Sequence, residues 1–384
     1  MLGYLVVLFA LIMQISLGST YSWSVYVKPI RDILQISQAE AQLPFSVFYF
    51  VFPATMIFSG KILNRLGPSL ATILGGTLFG LGWVISSFGS ENFIYTIIGN
   101  GLVAGLGAGI AYIVPILTCI KWFPDKKGLI TGIAVAGFGG GAALVSYLGG
   151  YFLNIGWEPF QFFRLLGGAF IFFIVISGFF MKNPEKSKQN VSNITLKYSE
   201  LLKDNRFLLL YFAMFTGLAA GFAVNANIKE LSKTVTTSAG VGAVAFFAIF
   251  NAAGRIGWGT LFDRLNYLKV LQLNLLLQAI ILLLSPFLNQ MEHGLQIFAM
   301  ITGFNYGGVL VMYAGTVAKI WGVDKVGMGY GILFSSNIPG ALAPLFAGYV
   351  YDKTDSFTIA LYILAFLLLL GILAIKRLKY YKGE

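Results

Sequence analysis

One cation stands inside a long apolar run. Arg255 lies in the block 239–262, and Asn251 precedes it by four residues. On a helix that spacing puts both side chains on one face. A guanidinium offers a permanent charge and a planar fork of N–H donors, and a carboxamide adds another donor. Together they suit a single carboxylate. Eleven residues separate Arg255 from Asn266, where the block gives way to polar sequence, a depth of about 16 Å at 1.5 Å per residue. That is close to the middle of a hydrocarbon layer about 30 Å thick. A charge there costs a few kcal/mol or more unless it faces a cavity or a partner. No Asp or Glu lies at the core of another apolar block. An anion site at Arg255 is the expectation. The competing reading has backbone carbonyls satisfy the guanidinium, which then only packs the bundle.

Four aromatic side chains fall near the same depth: Tyr21, Tyr112, Tyr306 and Phe334. Phenol hydroxyls can donate to carboxylate oxygens while ring faces cover the apolar part of a substrate. In a chain with 16% aromatic residues, each alone reads equally as packing. Trp23 and Tyr26 lie nearer the outer mouth. There is one His and one Cys, Cys119, so neither a disulfide framework nor a Cys-cluster metal site is expected, and no paired carboxylates lie at depth. These absences argue against an enzyme and call for no cofactor.

The elements that carry these residues follow from composition. Of 384 residues, 57% are hydrophobic and 11% charged, yet the net charge is +11, and mean hydropathy is +0.80. Soluble domains carry about 25% charged residues. Soluble enzymes and disordered or collagen-like chains are thereby excluded. Twelve apolar blocks can be read: 2–27, 41–61, 69–89, 93–118, 128–152, 160–181, 207–228, 239–262, 270–288, 295–318, 327–350 and 356–375. Each is continuously apolar, as a membrane-spanning helix requires, and lacks the alternation of a barrel strand. The first block reads as a span, since no Lys or Arg precedes it.

With both termini on the inner side, 19 of the 26 Lys and Arg fall in inner loops and six in outer loops, leaving Arg255 within a span. The inner side then carries +12 and the outer side −2. This is the positive-inside asymmetry expected of a multi-pass protein in the plasma membrane with cytoplasmic termini. Sorted in this way, the basic charge gives no reason to expect nucleic acid as a partner.

The longest polar stretch, 182–206, divides the blocks into six and six. An offset of 199 residues superposes GKILNRL at 60–66 on GTLFDRL at 259–265. The same offset places Trp122, Asp125, Lys126 and Gly128 on Trp321, Asp324, Lys325 and Gly327. Charged loop residues at one constant offset indicate a duplication, and six intervening helices make the halves parallel repeats. The expected organisation is a six-helix half over 1–181, a cytoplasmic linker over 182–206 and a second half over 207–384.

The segment Gly60-Lys61-Ile62-Leu63-Asn64-Arg65-Leu66-Gly67 resembles the signature loop of the major facilitator superfamily, G-x-x-x-D/N-R-x-G. Asp263 and Arg264 belong to its weaker second copy. The resemblance implies an all-α membrane protein, with twelve transmembrane helices in two parallel-repeat six-helix halves. It also implies gating roles for Gly60, Asn64, Arg65, Gly67, Asp263 and Arg264. Asn64 stands where Asp is commoner, so an ionic lock there would be weaker. KWFPDKKGLITGIAVAGFGGGAAL at 121–144 is similar to the oxalate/formate antiporter family, relatives of the proton-linked monocarboxylate transporters. YSWSVYVKP at 21–29 and FNAAGRIGWG at 250–259 are similar to the same group. The Asn251/Arg255 pair matches the substrate site of the monocarboxylate carriers. The G-x-G-x-x-A pattern at Gly137–Ala142 has no strand before it and no acid about 20 residues on, so it reads as helix packing, as do Gly101, Gly105 and Gly109.

Two departures from the family shape the expectation. Oxalate carriers have a Lys in the eleventh span, where this chain aligns Asn337. Two cations suit a dianion and one suits a monoanion, so a monocarboxylate such as lactate, pyruvate or formate is expected over oxalate. Mammalian-type carriers have a Lys near the level of Val25, whereas here Lys28 and Arg31 lie further out. Importing an anion against an inside-negative potential costs about 2.3 kcal/mol per 100 mV, and either a cotransported proton or an exchanged anion would offset it. Symport and antiport both stay open, as do an oxalate/formate-type exchanger and a neutral sugar or drug facilitator of the same superfamily. The resemblance implies a monomer in the lipid bilayer.

Overall fold

The computed structural model describes residues 2–123, 127–184, 198–231, 237–288, 290–322 and 326–378, and these are helical throughout apart from turns. Among the described residues, nine helices are long and apolar enough to cross a membrane. One of them, Gln38–Ser90, holds two crossings, divided at Gly67. Adding the helix Lys127–Asn154 and the shorter apolar helix Tyr267–Leu283 fits twelve spans. In hydrocarbon each backbone N–H and C=O must find its partner within the segment, and the helix provides that.

The helix Leu43–Ser86 leaves helical geometry only at Gly67, with φ 73° and ψ 169°. That region is open essentially to glycine alone. The expected loop around Asn64 is therefore helix up to Leu66, followed by a single-residue corner. Pro68 comes next, where its missing N–H is tolerated at a new helix start. Elsewhere, side chains close the helix ends. Ser37 and Glu40 form a reciprocal capping box. Asn266 accepts from the Lys269 amide at 3.3 Å, and Asp204 from the Arg206 amide at 2.8 Å.

The chain forms two compact units, Met1–Gln189 and Asn190–Glu384. Most of the expected linker, 185–197, lies outside the described residues, as do Asp125, Lys126, Asp324 and Lys325 of the repeat. In the first unit, Gly101, Gly105 and Gly109 form a row one turn apart against Val47, Val51 and Thr55, while Gly137 and Gly141 lie against Leu11 and Ile15 of span one. Small residues in such rows let helices approach closely. The fourth span begins irregularly: Ile97–Val103 is a π-helical segment containing buried Asn100. Span eleven is interrupted, running as Val326–Phe334, Asn337–Gly340 and Ala343–Thr354.

Two repeat-related tryptophans hold the ends of the connecting stretch, each within its own unit. Trp122 Nε1 donates to the Lys182 carbonyl at 2.7 Å. Trp321 Nε1 donates to Asp204 Oδ2 at 3.0 Å. Arg206 closes the second contact with a 2.8 Å ion pair to Asp204, its guanidinium 5.8 Å over the Trp321 ring.

Candidate functional site

Span eight, Thr237–Arg264, carries the cation. Arg255 Nε donates to Asn251 Oδ1 at 3.2 Å, so the pair predicted from four-residue spacing forms. Asn251 is fully buried, and among the described residues its Nδ2 meets no acceptor. The carboxamide thus turns its oxygen to Arg255 and leaves a buried N–H donor beside the cation. Burying an unanswered donor costs about 1–3 kcal/mol, so an oxyanion or water placed there would recover that loss.

Span ten, Gly294–Trp321, packs directly on this pair. A Cβ built on Gly307 would overlap the Asn251 carbonyl and come within 3.1 Å of the Arg255 amide. Only the missing side chain permits this backbone-to-backbone approach. The neighbouring Tyr306 is fully buried, its ring centroid 5.9 Å from those of both Phe222 and Phe247. Gly221 gives way to the Tyr306 ring. Asn251, Arg255 and Tyr306 are therefore positioned by one helix–helix contact.

Phe334 and Asn337 form a second pairing in this unit. Phe334 ends the first piece of span eleven, and its carbonyl accepts from Asn337 Nδ2 at 2.6 Å. Helix ends leave such carbonyls without intrahelical partners, so Asn337 serves the break in its own helix. Ser335 donates to Tyr211 Oη at 3.4 Å, and Tyr330 donates to the Leu310 carbonyl at 2.8 Å.

In the first unit, Tyr21 and Tyr112 converge on Phe138. Tyr21, in the 3-10 turn Ser19–Ser22, meets that ring edge-on at 5.2 Å, and Tyr112 meets it at 5.6 Å. Tyr21 also stacks on Tyr49 at 5.6 Å, and Tyr49 Oη lies 3.2 Å from Thr20 Oγ1. Gln14 Nε2 donates to the Tyr112 carbonyl at 3.2 Å. Sequence reading missed Tyr49 and Gln14. A buried Gln within an apolar block was the available signal for the second. Of the proposed gating residues, Gly60, Asn64, Arg65, Asp263 and Arg264 are exposed, and Gly67 forms the corner described above.

Residues 6–334 and 219–382 match the Major Facilitator Superfamily. The chain belongs to this superfamily. It is 26% identical over 363 residues to the oxalate:formate antiporter of Oxalobacter formigenes, covering 90% of this chain and 82% of that protein. It is 25% identical over 451 residues to apicoplast pyruvate carrier 1 of Toxoplasma gondii, covering 88% and 82%. Monocarboxylate transporters are also among its relatives, so the expected kinship holds at low identity. The crystal structure of a D-xylose-proton symporter superposes with a TM-score of 0.75 at 15% identity, covering 97% of each chain, which shows the fold. The protein is a multi-pass membrane transporter of the major facilitator fold rather than an enzyme.

Proposed function

We propose that this transporter carries small monocarboxylates of the lactate, pyruvate or formate type by alternating access. The observation that carries the proposal is the Asn251–Arg255 pair, with its permanent cation and adjacent buried donor without an acceptor. A carboxylate bound there would meet the guanidinium through charge-assisted hydrogen bonds and the Asn251 amide through a further one. Tyr306 would cover its apolar part. Phe334, Asn337, Tyr21 and Tyr112 are proposed as further substrate-facing residues, and the corner at Gly67 with Gly60, Asn64, Arg65, Asp263 and Arg264 as gate elements. The halves 1–181 and 207–384, the 182–206 linker, cytoplasmic termini, plasma-membrane residence and a monomeric state complete the reading.

The substrate preference rests on charge. Asn337 is neutral where oxalate carriers have Lys, and one cation balances one negative charge in a low-dielectric site. The kinship with an oxalate:formate antiporter supports a second reading, exchange of a dicarboxylate against formate.

Uptake of labelled lactate and formate into proteoliposomes tests both. The expected result is uptake that unlabelled oxalate inhibits poorly and that Arg255→Ala abolishes. Stimulation by an inward proton gradient alone indicates symport, and a requirement for internal carboxylate indicates exchange. Stronger competition by oxalate than by lactate or formate overturns the monocarboxylate preference, and sugar uptake without carboxylate uptake overturns the whole reading.

A further inference from the structure

A polar cavity of about 300 Å³ opens where span two turns into span three, on the face that carries the excess of Lys and Arg. Its walls include Asn64 and Gly67 at the corner, Leu117, Thr118 and Lys121 at the end of span four, and Asn183 just beyond span six. All belong to the first unit. Among the described residues, no Asp or Glu lines it. Lys121 Nζ donates to Asn183 Oδ1 at 3.2 Å, and an ammonium has three N–H donors.

The charge of this cavity follows from one residue. The superfamily signature commonly has Asp at the position of Asn64, and a carboxylate there would balance Lys121. Asn64 has the same shape without the charge, so the lining among the described residues carries a net positive charge. Asn64 and Thr118 can each add a donor to that of the ammonium. The apolar surface alongside is exposed at Leu66, Leu70 and Leu117, as expected of side chains facing acyl chains.

We propose that this cavity is an oxyanion site that takes a phosphate group, with Lys121 as its cation and Asn64 as its neutral gatekeeper. The phosphate comes either from the headgroup of an anionic phospholipid or from free inorganic phosphate. A phosphate seated there would join the Gly67 corner to the end of span four and to Asn183, steadying three segments around one cavity.

The test uses the full chain in detergent at constant ionic strength. Its melting temperature is followed against inorganic phosphate, short-chain phosphatidylglycerol and uncharged diacylglycerol of the same chain length. The expected result is a saturable rise with phosphate, with phosphatidylglycerol or with both. A rise with phosphatidylglycerol alone assigns the site to lipid, and one with phosphate assigns it to the free ion. The apparent affinity should fall about tenfold in Lys121→Gln, which loses a charge-assisted contact, and in Asn64→Asp, which sets a like charge beside the anion. Lys376→Gln, at the end of span twelve, should leave it unchanged. No saturable rise with either anion, an equal rise with diacylglycerol, or equal affinity in Lys121→Gln and Asn64→Asp overturns the proposal. Because the readout is binding, each of these results is independent of which substrate is transported.

Discussion

Arg255 donates its Nε–H to the side-chain oxygen of Asn251, one helical turn earlier, across 3.2 Å. This bond fixes the orientation of the carboxamide. With its oxygen committed to the guanidinium, Asn251 keeps its Nδ2 buried with no acceptor among the described residues. A neutral amide thereby becomes a directional donor next to a cation, which neither side chain would provide alone.

Substituting Asn251 separates the charge from the geometry. Asn251→Leu removes the acceptor for Nε and the spare donor, and should raise the KM for a monocarboxylate by about tenfold to a hundredfold, the value of one hydrogen bond to a charged group. Asn251→Asp keeps the contact to Arg255 but neutralises the cation, and should abolish uptake. Concentration-dependent uptake in proteoliposomes measures both.

The close approach of spans eight and ten should be intolerant of even one methyl group. Gly307→Ala places a carbon into the Asn251 carbonyl, and overpacking of this kind costs about 1–3 kcal/mol. Gly168→Ala, where a Cβ meets nothing within 4 Å, should be neutral or stabilise by up to about 1 kcal/mol through helix propensity. Melting temperatures of the two variants in the same detergent provide the comparison.

Gly67→Ala should destabilise the first unit by about 1–3 kcal/mol, because its backbone lies where a side chain is strained. Gly60→Ala, on the regular helix before it and with open space around its Cβ, should not. Denaturation of the two variants side by side separates corner strain from loss of a small residue.

Acid should release the Trp321 contact. Partial burial opposes ionisation of Asp204, but hydrogen bonds from Arg206 and Trp321, with the Arg206 charge, outweigh it and hold the carboxyl below its usual range. The unfolded chain therefore takes up the proton at higher pH than the folded one. The stabilisation is complete above the unfolded value of about 3.9 and is lost as pH falls through the lower folded value. Asp204→Asn should melt earlier than the parent near neutral pH and converge with it in strong acid, which melting curves extended from pH 6 into strong acid would show.

Much of the fold was legible because hydrocarbon imposes long apolar helices, and sequence records them directly. The four-residue spacing of Asn251 and Arg255 likewise predicted their contact. The interruption of span eleven was harder to read. Pro339 and Pro344 are visible in sequence, but whether the chain kinks or breaks depends on who satisfies the released carbonyls, and Asn337 doing so for Phe334 is a tertiary outcome. The corner at Gly67 is hidden in a segment, Gly60–Gly67, that resembles a signature loop and holds the polar residues Lys61, Asn64 and Arg65. An exposed helical turn accepts the same residues, and only the backbone angle distinguishes the two. Tyr49 is illegible in sequence for a related reason: it stacks on Tyr21, a residue 28 positions away.

Gly307 also has an electrical consequence. It lets the backbone of span ten rest against that of Asn251 and Arg255, so the helix segment that carries the cation is held in a close seam. In the proposed cycle a bound monoanion adds one negative charge beside that seam. A charge crossing the whole field exchanges about 2.3 kcal/mol per 100 mV. Loaded and empty carriers would then differ by one unit of charge in how the voltage acts on them.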